Sequence, residues 1–358
     1  MWPDRRLLDL LKTEFPIVQA PMAGVMDADL VIAVAQGGAL GSLPCAMISA
    51  EKAREQVNVI RQRLSAPVNM NFFCHKAVDA DPRREAGWKA RLAGYYNELG
   101  LDPAAPVNAA SRAPFDDAFC ALVEELKPEV TSFHFGLPSP DLLRRVKAAG
   151  AIVMSSATTV REAVWLEQNG ADVIIAQGAE AGGHRGMFLS ENIAEQPGTF
   201  ALVPQVVDAV KVPVIAAGGI ADGRGIAAAF ALGAAGVQVG TAYLRCPESK
   251  VIAPARAALA KATDESTVIT NVMSGRPARG VANRVMKEVG PISRDAPAFP
   301  HASIALAPLK AAAEKLGRVD FTNLWAGQAV RMGREMPAAE LTRALAGEAL
   351  ARLGQMGG

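Results

Sequence analysis

The stretch VPVIAAGGIADGRGIAAAFALGAAGVQVGTAYL, residues 212–244, carries the fold in miniature. A β-branched apolar run at 214–217 ends in Gly218-Gly219, and an alanine-rich helical pattern follows at 225–232. Leu232-Gly233-Ala234 then leads into a second apolar run at 236–239. A glycine just past a helix supplies the left-handed residue that ends it, so Gly233 marks the helix terminus. Short runs that are apolar on both faces and joined by a helix read as parallel strands covered by helices.

The same phrase recurs at Ala149-Gly150-Ala151 and Asn169-Gly170-Ala171. Outward from it, strands are expected at 17–22, 39–43, 68–72, 130–135, 151–155, 173–176, 214–217 and 236–239, with helical patterns such as 142–149 and 160–169 between them. Eight such units predict a (β/α)8 TIM barrel; an open doubly wound sheet is the alternative. Two segments break the rhythm. Residues 74–113 read as an extra helix (82–99) and a Pro/Ala-rich loop, and 245–320 is rich in Pro, Arg and Ser. The expected division is a barrel of 1–244 completed by 321–358, with 245–320 inserted as a smaller substrate/lid subdomain.

Composition narrows the function. The 358 residues carry 37 basic and 36 acidic side chains, a net charge of +1, with no basic run interleaved with aromatics, which argues against a nucleic-acid partner. Cys45, Cys74, Cys120 and Cys246 are scattered without a CxxC pair, as expected of reduced thiols, and no His has metal-ligand spacing. The first fifteen residues lack the apolar core of a signal peptide, and no long uncharged apolar run reads as a membrane span. A soluble cytoplasmic protein acting on a small molecule is the expectation.

In a barrel of this kind the loops after the strand C-termini build the site. Gly218-Gly219 after strand seven, and Gln238-Val239-Gly240-Thr241 at the end of strand eight, would offer backbone N–H groups to a phosphate, one βα unit apart. Ala20-Pro21-Met22 after strand one is stiff and small, suited to a flat ligand or to a simple turn. The densest signal follows strand six: Gln177-Gly178-Ala179-Glu180-Ala181-Gly182-Gly183-His184-Arg185-Gly186. One imidazole in a loop otherwise poor in side chains suits a base near neutral pH, or a ring that pins its own loop. His134, in Ser132-Phe133-His134-Phe135-Gly136, lies at the same barrel end and either lines the site or packs the loop.

Taken together, "PIVQAPMAG", Asn71, "AQGAEAGGHRG", "VIAAGGI", "QVGTAYL", "SGRPARG" and "DFTNLWAGQ" resemble the nitronate monooxygenase family over residues 16–328. "SFHFG" with "NFFCH" is similar to its bacterial nitronate-oxidising class. The resemblance implies an FMN-dependent oxidoreductase that oxidises alkyl nitronates, such as propionate 3-nitronate, with dioxygen to a carbonyl compound and nitrite. It implies that Ala20, Pro21 and Met22 lie against the isoalloxazine, and that Asn71 and Gln177 bond its polar edge. Gly182 would approach the cofactor, and Gly218, Gly219, Gln238, Val239, Gly240 and Thr241 would hold the phosphate. His184 takes the catalytic position, either removing an α-proton or, protonated, anchoring the anion; His134 and Ser274 are candidate substrate-pocket residues. No metal is implied, and the chain is expected as a monomer or homodimer. Where the family often lines the pocket with tyrosine, residues 299–310 here carry none. An FMN-dependent NAD(P)H reductase of the same superfamily, acting on enoyl-ACP or quinone, is the runner-up; a non-catalytic phosphate-ligand sensor on the same scaffold is a third reading.

Overall fold

The computed structural model describes residues 1–107 and 113–356. Eight parallel strands form one sheet: β1 (Ile17–Gln19), β2 (Gly41–Pro44), β3 (Val68–Phe73), β4 (Val130–His134), β5 (Ile152–Ala157), β6 (Val173–Gln177), β7 (Val214–Ala217) and β8 (Gly236–Val239). Each pairs with its sequence neighbour from β2 to β8, and β8 returns to β1 in the register Val18↔Gln238. A parallel bridge, Val18↔Leu40, joins β1 to the entry of β2 and completes the ring. The chain is a (β/α)8 barrel. Closure removes the strand edges, and side chains inside the barrel together with helices outside it bury both faces of the strands.

Two apolar layers hold it. Leu40, Val130, Met154, Val173, Ile175 and Ile215 pack inside the barrel, and the helix Arg6–Leu11 adds Leu7 and Leu11 to that cluster. The charged amino-terminal segment is therefore part of the core. A larger layer lies between strands and outer helices. The last helix, Ala338–Met356, rests on the helix Gly223–Ala231 so closely that a Cβ on Gly223 would stand 2.3 Å from the Cβ of Glu348.

Strand one is shorter than its apolar pattern, ending at Gln19 ahead of Pro21, whose missing N–H cannot extend a ladder. The single helix expected over 82–99 is two, Pro82–Arg91 and Ala93–Glu98, broken at Leu92. These helices carry Trp88 and Tyr96 into a second apolar cluster with Val272, Met286, Leu306 and Phe321. Both rings also donate to the backbone of the helix Ala302–Lys315, Trp88 Nε1 to Ala302 O at 3.1 Å and Tyr96 Oη to Ala305 O at 2.6 Å. Part of the Pro/Ala-rich loop, residues 108–112, lies outside the described residues. Among the described residues no helix is long and apolar enough to cross a membrane.

Candidate active site at the barrel mouth

The loop after β6 is tied down by its own polar side chains. Gln177 Nε2 donates to His184 O at 3.0 Å, and Gln177 Oε1 accepts from Gly186 N at 2.7 Å. Each end of this amide makes one bond inside the loop, leaving one Nε2 proton and one Oε1 lone pair uncommitted. Arg185 is fully buried and donates to Gln177 O and Gly178 O, each at 2.7 Å, and to Gln196. Burial, with the nearby charge of Arg279, pushes its guanidinium down to about 10. Gly183–His184 forms a short antiparallel pairing with Ala278–Val281, so the "SGRPARG" segment runs beside the loop.

That pairing delivers Ser274 to His184, ninety positions away: His184 Nε2 and Ser274 Oγ are 2.8 Å apart. Ser274 Oγ also lies 3.2 Å from Arg276 O. A hydroxyl with one proton can donate to that carbonyl while accepting from the ring, which fixes the imidazole plane. Among the described residues, four aromatic rings stand around His184, with centroids at 5.3 Å (Phe299), 5.5 Å (Trp325), 6.0 Å (Phe135) and 6.3 Å (Phe73). They come from the ends of β3 and β4 and from two segments beyond β8.

His134 backs this arrangement. Its Nε2 is 3.1 Å from His184 O and its Nδ1 3.0 Å from Ser156 Oγ. A carbonyl only accepts, so Nε2 carries the proton and Nδ1 accepts from the serine hydroxyl: the ring is the neutral tautomer. Burial, reinforced by the charges of Arg276 and Arg185, pushes its pKa down to about 4, against the opposing hydrogen bond to His184. Stability follows from the sign of that shift. The unfolded ring takes a proton below about pH 6.5 while the folded ring resists until about 4, so its contribution is full above 6.5 and drains away as pH falls through that window. Between pH 7.5 and 5 the loss comes to about 2 kcal/mol. His134→Gln, which keeps an amide donor without a titrating ring, is expected to remove that part of the acid sensitivity in urea melts at the two pH values. An unchanged difference would mean that other groups set it.

At the last two strand ends, backbone geometry dominates. Gly218 and Gly219 have φ of +115° and +72°, values that side chains rarely adopt. The first amides of the helix Gly223–Ala231 are taken by its own cap: Asp222 accepts from Arg224 N at 2.9 Å and Gly225 N at 3.3 Å. Glu180 closes another helix start in the same way, accepting from Thr199 N and Thr199 Oγ1. Neither helix N-terminus is an open anion site. What remains are the turn amides themselves: among the described residues, those of Gly219, Gly240 and Thr241 meet no acceptor. Gln238 Oε1, beside them, is buried without a partner. The buried Gln238 oxygen is costly to leave unpaired, whereas the amides of exposed Gly219 and half-buried Gly240 and Thr241 are open to an incoming anion.

The other candidates fall around this turn. Ala20 touches Gly240, where an added Cβ would stand 3.2 Å from the Ala20 Cβ, and Met22 N points at Met26 Sδ at 3.4 Å. Asn71 Nδ2 donates to Ser132 Oγ at 2.9 Å. Gly182 packs against the Ala326-Gly327 backbone, 2.5 Å from where its Cβ would lie, and Thr241 Oγ1 accepts from Gly327 N at 2.9 Å. The "NLWAGQ" segment is thereby stitched to both turns. Sequence reading passed over Phe73, Phe135, Phe299 and Trp325 as site residues, and with them Arg276 and Arg279. The two arginines left a readable trace, being charges within an otherwise small and apolar run, Ser274 to Val281.

The sequence profile of nitronate monooxygenase matches residues 4–348. A nitronate monooxygenase of Pseudomonas aeruginosa is 42% identical over 345 residues, covering 96% of this chain and 98% of that protein. The crystal structure of a nitroalkane oxidase from Streptomyces ansochromogenes aligns with a TM-score of 0.89 at 36% identity, covering 98% and 99% of the two chains. FabK from Thermotoga maritima aligns at 0.75 with 27% identity, covering 99% of each. Profile, sequence and fold agree over nearly the whole length, and the chain belongs to the nitronate monooxygenase family, an enzyme built on a (β/α)8 barrel.

Proposed function

We propose that this enzyme uses FMN to oxidise alkyl nitronates, propionate 3-nitronate among them, with dioxygen to a carbonyl compound and nitrite. The observation that carries the reading is one barrel mouth holding both a turn with unpaired amides and the His184–Ser274 pair. The turn at Gly219, Gly240 and Thr241 fits a phosphate, three N–H donors on adjacent loops being a common solution for an anion. Ala20–Met22 borders it, as a flat ring system extending from that phosphate requires. Bound there, FMN supplies the electron transfer between substrate and dioxygen.

The residues of the chain do the rest. Ser274 orients His184; Gln177 and His134 fix the backbone carrying it; the aromatic rings thin out water around the imidazole, which strengthens any hydrogen bond it makes. His184 then either hydrogen-bonds the nitro oxygens of a bound nitronate or takes the α-proton of a neutral nitroalkane. With both amide ends of Gln177 engaged in its loop, we assign it to positioning that loop. We keep 245–320 as the substrate/lid subdomain and add the helices at 82–98, which share its apolar cluster.

The purified protein is expected to be yellow, to take up oxygen with ethyl nitronate at roughly 1–10³ turnovers per second, and to release nitrite in step. Absence of oxygen uptake, together with anaerobic bleaching of the flavin by NADH or NADPH, would replace this reading with a reductase.

A further inference from the structure

Three arginines converge on the loop after β6: Arg185 and Arg279 are buried, and Arg276 is half-buried. Arg185, Arg276 and Arg279 form no ion pair among the described residues. Two are accounted for by neutral acceptors. Arg185 bonds two carbonyls and Gln196, while Arg279 donates to Ala179 O at 2.8 Å and to Thr267 Oγ1 at 3.3 Å. Arg276 differs. Its guanidinium stacks 4.0 Å over the Phe135 ring, and one nitrogen donates to Met187 O; no other acceptor of its side chain is found among the described residues. Burial lowers its pKa, and the charges that oppose this come from Glu191 and Glu162. Glu162 cannot serve as its partner, since its two oxygens already accept from Thr158, Phe188 and Leu189. A cation drawn part of the way out of water, with most of its N–H groups meeting no protein acceptor, is placed to take an anion.

The position of Arg276 says where that anion would come from. Phe135, on which it stacks, is held at φ +70°, an uncommon conformation for a bulky aromatic. Ser155 Oγ, bonded to Phe133 O and Gly136 O, pins that turn. The strained ring faces His184 at 6.0 Å, so guanidinium and imidazole lie within about 10 Å of each other. Arg276 also shares its backbone with the Ser274 bond that orients His184.

We propose that Arg276 is a specificity-determining residue, a cationic anchor for an oxyanion of the substrate bound beside His184. The inference rests on the functional reading above. The oxyanion is either the nitronate group or a carboxylate at the far end of a nitronate four or five atoms long, and both share one chemistry, a planar oxyanion facing a guanidinium.

The experiment compares the wild type with Arg276→Met and Arg276→Lys. Steady-state kinetics use ethyl nitronate and propionate 3-nitronate, and intrinsic tryptophan fluorescence, to which Trp325 beside His184 contributes, follows titration with 3-nitropropionate. Arg276→Met is expected to raise KM about 10–100-fold, the usual penalty for losing one charged hydrogen bond, with a much smaller change in kcat. Arg276→Lys should recover part of the loss because it restores the charge. If KM rises for both substrates, the anchored group is the nitronate; a rise for propionate 3-nitronate alone identifies the far carboxylate. Wild-type KM for both substrates and unaltered 3-nitropropionate binding in a folded Arg276→Met protein would overturn the proposal. Fluorescence separates the two levels: anion binding that depends on Arg276 in an enzyme inert towards nitronates would sink the functional reading and leave the anchor standing.

Discussion

Replacing Gly219 with aspartate is expected to give a folded but colourless protein. Gly219 sits at φ +72°, where aspartate is among the few residues tolerated, at a cost of roughly 1 kcal/mol. Its Cβ would meet the Glu180 Cβ at 3.5 Å, ordinary contact, so the fold has room for the side chain. The new carboxylate would stand among the turn amides where the proposal puts the FMN phosphate. Two like charges about 4 Å apart repel by about 4 kcal/mol at the effective dielectric of a protein surface, and the phosphate carries more than one. FMN affinity should fall by at least about 100-fold. Gly219→Asn has the same shape and backbone tolerance without the charge, and should stay yellow. The ratio of visible to protein absorbance, and FMN titration by fluorescence quenching, read the result. A fully yellow aspartate variant would mean that the phosphate binds elsewhere.

The second large effect belongs to His184. His184→Asn keeps a hydrogen-bonding side chain but removes the imidazole that Ser274 orients at 2.8 Å. If the ring is a general base, turnover of neutral nitroalkanes should drop by about 10²–10⁴-fold. Oxidation of a pre-formed nitronate, which has already lost that proton, should suffer far less. If the ring instead anchors the anion in its protonated form, nitronate KM should rise while kcat changes little. Colour should persist in both cases, because the turn amides lie on other loops. Wild-type rates on both substrate forms would return His184 to a purely structural role.

These expectations differ in how much of them could be read from the chain alone. Gly233, Gly170 and Gly150 follow helices and announce strands at 236, 173 and 152, and local apolar runs fixed all eight barrel strands to within a few residues. Strand and helix periodicity is a local property, and so is the left-handed glycine that separates them. The candidate loops were legible for a related reason, since a (β/α)8 barrel collects every strand C-terminus at one mouth. Gly218, Gly219, Gly240 and His184, each following a barrel strand, are therefore gathered at that mouth by the strand order alone.

What each side chain faces was not legible. Gln177 is amide-rich and sits at a strand end, but whether it reaches a ligand or its own loop depends on where His184 and Gly186 fold back. Asp222 and Glu180 close helix starts that glycine spacing alone leaves open, because a cap is decided by one rotamer and one distance. Ser274 meets His184, ninety positions away, only because two strands of two and four residues pair beside them, too short to leave a periodic signal. Likewise Trp88 and Phe321 share a core although one precedes β4 and the other follows β8. Local propensity and pattern determined the barrel and its mouth; non-local packing, with its hydrogen bonds and buried charges, decided which residues there point at one another.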